Sequence, residues 1–180
     1  SQTMLSNFTS FCYYDNIMKN PILILEDIRS SHNVGSLFRT ADAVGVGYVY
    51  LVGYTHTTVD KFGKVNSDIA KSALGGEKTI PWKKTTSCTV LIKKFKKDSC
   101  VVVAIEQDKN AVDYKKVSSL LKTKYNGKQI VFVLGNEVTG VSKKVLSVAD
   151  VVAEIPMSGS KESLNVSVAG GIAMFRILGR

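Results

Sequence analysis

The sequence predicts an α/β domain in which a largely parallel sheet lies between helices. Three observations carry this expectation. The runs Ile22-Leu23-Ile24-Leu25, Val101-Val102-Val103-Ala104-Ile105 and Ile130-Val131-Phe132-Val133-Leu134 are continuous and apolar, as strands buried on both faces are. Segments with helical spacing of apolar residues stand between strand-like runs, and strands that alternate with helices make parallel layered sheets. The chain has 180 residues, 44% of them hydrophobic, which is enough for one core without disulfide or metal staples. No linker, repeat or low-complexity stretch divides it. The expected organisation is an N-terminal arm or short helix over residues 1–20 and one domain over residues 21–180.

The elements follow in order. Phe8, Phe11, Tyr13 and Tyr14 give the first segment an apolar surface to pack on the body. Ile22 to Leu25 is the first strand, and polar residues from Glu26 to Asn33 form a loop. Val34, Leu37, Phe38, Ala41 and Val44 recur at helical spacing, and Gly45 stops that helix. Tyr48 to Val52 is the second strand. The polar stretch Thr55 to Lys64 is an insertion, followed by a helix near Asn66 to Leu74. Trp82 sits in a segment leading to a helix that starts near Ser87, with Leu91, Ile92 and Phe95 inward and Lys93, Lys94, Lys96 and Lys97 mostly outward. Val101 to Ile105, Ile130 to Leu134 and Val151 to Ile155 are the third, fourth and fifth strands. A last helix runs from about Leu164 to Leu178, with Leu164, Val168, Ile172, Phe175 and Leu178 as its core stripe. It is apolar nearly all round, which predicts burial on every side.

Composition narrows the chemistry. The formal charge is +9, from 24 Lys and Arg against 15 Asp and Glu, a balance that fits either a polyanionic partner or a well-solvated surface. No apolar run approaches the roughly 18 residues that span a bilayer. The first residues lack the basic and apolar blocks of a signal peptide, so the expected compartment is the cytosol. Cys12, Cys88 and Cys100 are odd in number and lack metal-ligand spacing. They read as reduced structural thiols, and no metal is expected.

Three separated stretches hold hydrogen-bonding residues at element boundaries, where a fold can spare polar groups for chemistry. The first is Asn33-Val34-Gly35-Ser36-Leu37-Phe38-Arg39, at the start of a helix. Asn33 can be a helix cap or a site residue, and Arg39 an ordinary exposed cation or a catalytic one. The second is Leu134-Gly135-Asn136-Glu137-Val138-Thr139-Gly140, leaving a strand end, where parallel sheets bind ligands. Gly135 can let a ligand lie against the backbone, and Glu137 can serve a helix N-terminus or a pocket. The spacing Gly135 to Gly140 imitates a phosphate loop but lacks its lysine, and Gly45-Val46-Gly47 lies in the wrong context for a dinucleotide site. The third is Ile155-Pro156-Met157-Ser158-Gly159 with Ser163-Leu164-Asn165-Val166-Ser167. Ser163 can cap the last helix. Gly170 and Gly171 cost about 1 kcal/mol each against alanine inside a helix, acceptable where another backbone comes close.

In this order the three stretches resemble the motifs of the SpoU/TrmH family of RNA ribose 2′-O-methyltransferases, over about Ile22 to Phe175. The resemblance implies a C-terminal trefoil knot whose loops build the pocket of the methyl donor, S-adenosylmethionine. It implies catalytic roles for Arg39, Asn33, Glu137, Ser163 and Asn165, and donor contacts from Leu134, Gly135, Ile155, Met157 and Leu164. It implies RNA as partner, tRNA ahead of rRNA, and a homodimer joined through the last helix with the site at the subunit boundary. The alternative on the same fold is a non-catalytic RNA-binding or assembly factor. RNA contact is expected from lysines, with Lys61, Lys64, Lys83, Lys84, Lys93, Lys94, Lys96 and Lys97 as candidates.

Overall fold

Seven strands form one sheet with every pairing parallel: β1 (Ile22–Glu26), β2 (Tyr48–Val52), β3 (Trp82–Thr85), β4 (Val101–Ile105), β5 (Val112–Asp113), β6 (Ile130–Leu134) and β7 (Val151–Glu154). Their order across the sheet is β3-β2-β1-β6-β4-β7-β5. The coordinates are a computed structural model describing residues 20–180; the expected N-terminal arm, apart from Asn20, falls outside them. β1 and β4 are buried at all five positions, and β6 at its last four, as continuous apolar runs require when helices cover both faces.

Among the described residues the helices are α1 (Ser31–Val44), α2 (Ser67–Ala73), α3 (Gly76–Thr79), α4 (Cys88–Lys97), α5 (Tyr114–Lys124), α6 (Lys143–Leu146) and α7 (Val166–Leu178). Alternation along the strands sorts the core into two layers. Leu23, Leu25, Val103, Phe132 and Leu134 face α1, α2, α5 and α7, while Ile22, Ile24, Val102, Val131 and Val133 face α4 and α6. Each fully buried side chain of this kind contributes about 1.5–3 kcal/mol against leaving it in water. Asn66 caps α2 and Ser87 caps α4, each accepting backbone N–H donors with its side-chain oxygen. Among the described residues no helix is long and apolar enough to cross a membrane. Cys88 and Cys100 are free and buried, and Cys12 lies outside the described residues. Burial pushes the Cys88 thiol far above its usual range, with Glu26 and Asp27 adding to the effect, so it stays protonated.

Several expectations are corrected. Trp82 begins β3, an edge strand whose lysines face solvent, so its polarity hid it. The short β5 and the helix α5 were also not expected; Val117 and Leu121 supply the buried face of α5, and Asp113 caps it. β7 ends at Glu154 rather than Ile155. The first helix starts at Ser31 and is capped by Ser30, which accepts from the Asn33 N–H, so Asn33 lies inside α1 and is buried. The last helix starts at Val166 with Asn165 as its cap, not Ser163. Its stripe is reversed: Ala173, Met174 and Ile177 are buried, whereas Val168, Ile172 and Phe175 are 48%, 39% and 37% exposed. Gly170 earns its place through close approach, since a Cβ there would stand 2.6 Å from Leu134 Cδ1 and 3.0 Å from Leu37 Cδ2. Gly171 does not, because a Cβ would meet only Thr40, at an ordinary 3.6 Å.

Candidate active site

The carboxyl ends of β4, β6 and β7 open into a cavity of about 150 Å³. Leu134, Gly135, Ile155, Met157 and Leu164 all line it, as do Glu137 and Ser163. The remaining lining includes Glu106 and Gln107 after β4, together with Ala153, Val166 and Ala169. Among the described residues two carboxylates therefore border the cavity, and no lysine, arginine or histidine does. A phosphate group would find no counter-charge there, whereas a ligand with a cationic centre and apolar flanks would be matched.

Residues of the three motifs meet at one corner of this cavity. Glu137 Oε1 accepts from the Ser30 N–H at 3.0 Å and from Asn33 Nδ2 at 2.9 Å, and its Oε2 accepts from the Arg29 N–H at 2.9 Å. With its amide nitrogen so committed, Asn33 turns Oδ1 towards Asn165 Nδ2, which donates at 3.1 Å. Asn165 Oδ1 in turn accepts from the N–H and the hydroxyl of Ser167, at 2.9 and 2.6 Å. The result is a directed relay, Ser167 to Asn165 to Asn33 to Glu137, in which each amide has one orientation. The helix N-terminus that Glu137 serves is that of α1, which has no acidic residue in its own first turn.

Burial raises the pKa of Glu137, but the N–H donors of Arg29, Asn33 and Ser30 outweigh it and hold the carboxyl below its usual range. Its stabilising contribution is thus present above the ordinary carboxylate pKa and lost as pH falls through the lowered one. Glu137→Gln, which turns an N–H group towards existing donors, is expected to destabilise the fold by about 1 kcal/mol at neutral pH, a figure kept small by solvent exposure. Denaturant midpoints of the two proteins should converge once the carboxyl is protonated.

The loop after β6 is closed by paired backbone hydrogen bonds between Asn136 and Gly140, at 3.1 and 2.9 Å. Asn136 Nδ2 donates to the Asp27 carbonyl at 2.7 Å. Gly135 is needed because this loop folds back on it: a Cβ would stand 2.2 Å from Val141 N and 2.3 Å from the Gly140 carbonyl carbon. The glycine makes room for the loop itself rather than for a ligand. Sequence reasoning missed three carboxyl-end residues that hold the loops. Glu26, buried at the end of β1, accepts from the Ser142 N–H and hydroxyl. Glu106 Oε2 accepts from the Val141 N–H at 2.7 Å, and Gln107 Nε2 donates to the Glu162 carbonyl at 2.5 Å. The signal was available, since Glu26 ends a buried strand and Glu106 and Gln107 are the first two residues after one.

Arg39 stands apart. It is exposed on α1, six residues beyond Asn33, and does not line the cavity. Its neighbour Thr40 faces Gly171 of α7. Gly35, beside Asn33, lies against α2, where a Cβ would be 2.3 Å from the Ile69 carbonyl oxygen, so its role is helix packing rather than ligand approach. Among the described residues no group of three or more His, Cys, Asp or Glu could hold a metal ion.

The model of the SpoU rRNA Methylase family matches residues 20–175. The chain belongs to the SpoU methylase family. This SpoU chain is 34% identical over 157 residues to a protein of Aquifex aeolicus named tRNA (guanosine(18)-2′-O)-methyltransferase, covering 87% of the chain and 68% of that protein. It is similar to the crystal structure of A. aeolicus TrmH/SpoU tRNA modifying enzyme, with a TM-score of 0.73 and 30% identity over 93% of this chain and 80% of the other. The AdoMet-bound rRNA methyltransferase from Sinorhizobium meliloti superposes with a TM-score of 0.72 and 28% identity, over 88% of this chain and 55% of that one. The SpoU chain thus spans just over half the length of the Sinorhizobium protein.

Proposed function

We propose that this chain transfers a methyl group from S-adenosylmethionine to a ribose 2′-hydroxyl of structured RNA, with tRNA as the substrate class. The observation that carries the reading is the lining of the cavity, where an apolar wall of Leu134, Ile155, Met157 and Leu164 faces two carboxylates and, among the described residues, no cationic side chain. That composition fits a sulfonium-bearing nucleoside, and the Sinorhizobium relative is an AdoMet-bound structure. The tRNA reading is supported by the name of the Aquifex relative.

When bound, S-adenosylmethionine supplies a methyl group on a sulfur that departs neutral, so the donor is already activated. The chain's task is alignment and management of the hydroxyl proton. Leu134, Ile155, Met157 and Leu164 hold the apolar parts of the donor. The Asn33–Asn165 pair, fixed by Glu137, orients the ribose. A guanidinium offers only hydrogen-bond donors, so Arg39 serves as a clamp rather than a base. It grips the phosphate next to the target ribose and stabilises the developing alkoxide, while a phosphate oxygen or water accepts the proton. Its place outside the cavity suits a contact with RNA rather than with the donor. We infer also that the loops after β6 and β7 are threaded as the family's trefoil knot; the family match and their shared lining of one cavity support this.

The test is a calorimetric titration with S-adenosylmethionine followed by incubation with unmodified bulk RNA and nucleoside analysis. A new 2′-O-methyl nucleoside, mapped to tRNA, is expected. Donor binding without any new methyl group would instead identify a non-catalytic factor.

A homodimer through α7 completes the proposal. Val168, Ile172 and Phe175, with Leu164 ahead of the helix at 38% exposure, make an uncovered apolar stripe. Thr40 of α1 packs on the same helix. Sedimentation should show a dimer, and Phe175→Glu should shift it to monomer with loss of methyl transfer. A wild-type monomer that is stable and active counts against the arrangement.

A further inference from the structure

The loop between β2 and α2 carries two aromatic rings held out in water. Tyr54 is 85% exposed and Phe62 is 83% exposed. Exposed rings on a wandering loop would mean little, but this loop is fixed. The Tyr54 N–H donates to Asp27 Oδ1 at 2.7 Å. Lys84 Nζ donates to the carbonyls of Gly53, at 2.6 Å, and of Thr55. The Thr55 hydroxyl donates to the Leu25 carbonyl at 2.8 Å and accepts from the Ile28 N–H at 3.0 Å. Thr55 and Thr58 are buried.

Residues 59–65 then form a tight hairpin. Val59 and Val65 pair across it, Asp60 Oδ1 accepts from the N–H groups of Phe62 and Lys64, and Gly63 turns the tip at φ 81°. Phe62 rides at that tip with Lys61 Nζ 5.0 Å from its ring centroid. The root of the loop is tied to the reaction centre, since Asn66 Nδ2 donates to Ser31 Oγ at 3.3 Å, two residues before Asn33.

We propose that this loop is a stacking platform for an unpaired nucleotide of the RNA substrate, with Tyr54 and Phe62 taking base faces and Lys61 and Lys64 the flanking phosphates. The proposal rests on the RNA reading of the adjacent site and deepens it, because it names single-stranded RNA rather than duplex as what the site receives. A base inside a helix has no free face to offer a ring, whereas bases of loops and bulges stack on aromatic side chains. Sequence-tolerant stacking of this kind pairs aromatic rings with cations along the backbone, which is what the hairpin displays. Its one acidic side chain, Asp60, is spent on the hairpin's own N–H groups. Two isolated rings among lysines form no broad apolar patch of the sort that protein partners bury.

The test measures fluorescence anisotropy of a labelled unstructured RNA oligonucleotide and of the same strand annealed to its complement, at two salt concentrations. The wild-type chain should prefer the single strand. Phe62→Ala and Tyr54→Ala should each weaken single-strand binding about tenfold without changing its salt dependence, and Phe62→Trp should restore it. Lys61→Ala and Lys64→Ala should instead flatten the salt dependence. Single-strand affinities of the ring variants equal to wild type overturn the platform. So does a change confined to sedimentation behaviour, which would make the loop a protein contact. Calorimetry with S-adenosylmethionine runs alongside: donor failure with stacking intact strikes the methyltransferase reading alone, and a wild type that binds neither RNA form strikes both.

Discussion

Replacing Arg39 by lysine is expected to lower kcat by about two to three orders of magnitude while leaving the affinity for S-adenosylmethionine unchanged. The charge survives this substitution; what is lost is the planar fork that can hold a phosphate through two parallel hydrogen bonds. Arg39 is exposed on α1 and absent from the cavity lining, so donor binding has no reason to respond. It lies on the same helix as Asn33, six residues further on, or about 9 Å along the axis. One rigid element therefore sets the separation between the Asn33 amide and the proposed phosphate clamp. Steady-state kinetics on RNA with a parallel donor titration separates the effects. Near-normal turnover in the lysine variant would remove bidentate phosphate binding from the mechanism.

Gly135→Ala should act in the opposite way, weakening donor binding while RNA binding persists. The added methyl group would stand 2.2–2.4 Å from the backbone of Gly140 and Val141, and no side-chain rotation relieves a clash with backbone. The loop after β6 must move, and its movement breaks the hydrogen bond from the Val141 N–H to Glu106. Forced overpacking of this kind costs about 1–3 kcal/mol. If that cost is borne by the pocket loop, donor affinity falls by roughly 5- to 150-fold. Calorimetry gives the donor affinity, and oligonucleotide binding shows that the remainder of the fold is intact. Wild-type donor affinity in this variant would mean that the loop is not part of the donor pocket.

Much of the scaffold could be read from residue types because burial and periodicity there agree. β1, β4 and β6 are uninterrupted apolar runs, and α1 repeats its buried residues at helical spacing. β3 escaped because an edge strand needs few apolar residues, and Trp-Lys-Lys-Thr offers little pattern. The stripe on α7 was assigned to the wrong face because both faces are apolar, and only packing against β6 and α1 decides between them. Within the site, the motifs identified Asn33, Glu137 and Asn165, yet their individual spacings implied capping as readily as chemistry. Both readings hold for Asn165, which caps α7 with one amide atom and engages Asn33 with the other. Glu106 and Gln107 went unnoticed because they lie in none of the three stretches; their importance comes from the sheet order, which sets β4 between β6 and β7.

The hydrogen bond between Asn33 and Asn165 joins positions 132 residues apart. Asn33 is held inside α1 and Asn165 at the start of α7. A substitution that unseats α7 therefore disconnects the first motif from the third even where the sheet survives, so the two ends of the chain must be fastened together before the relay is whole.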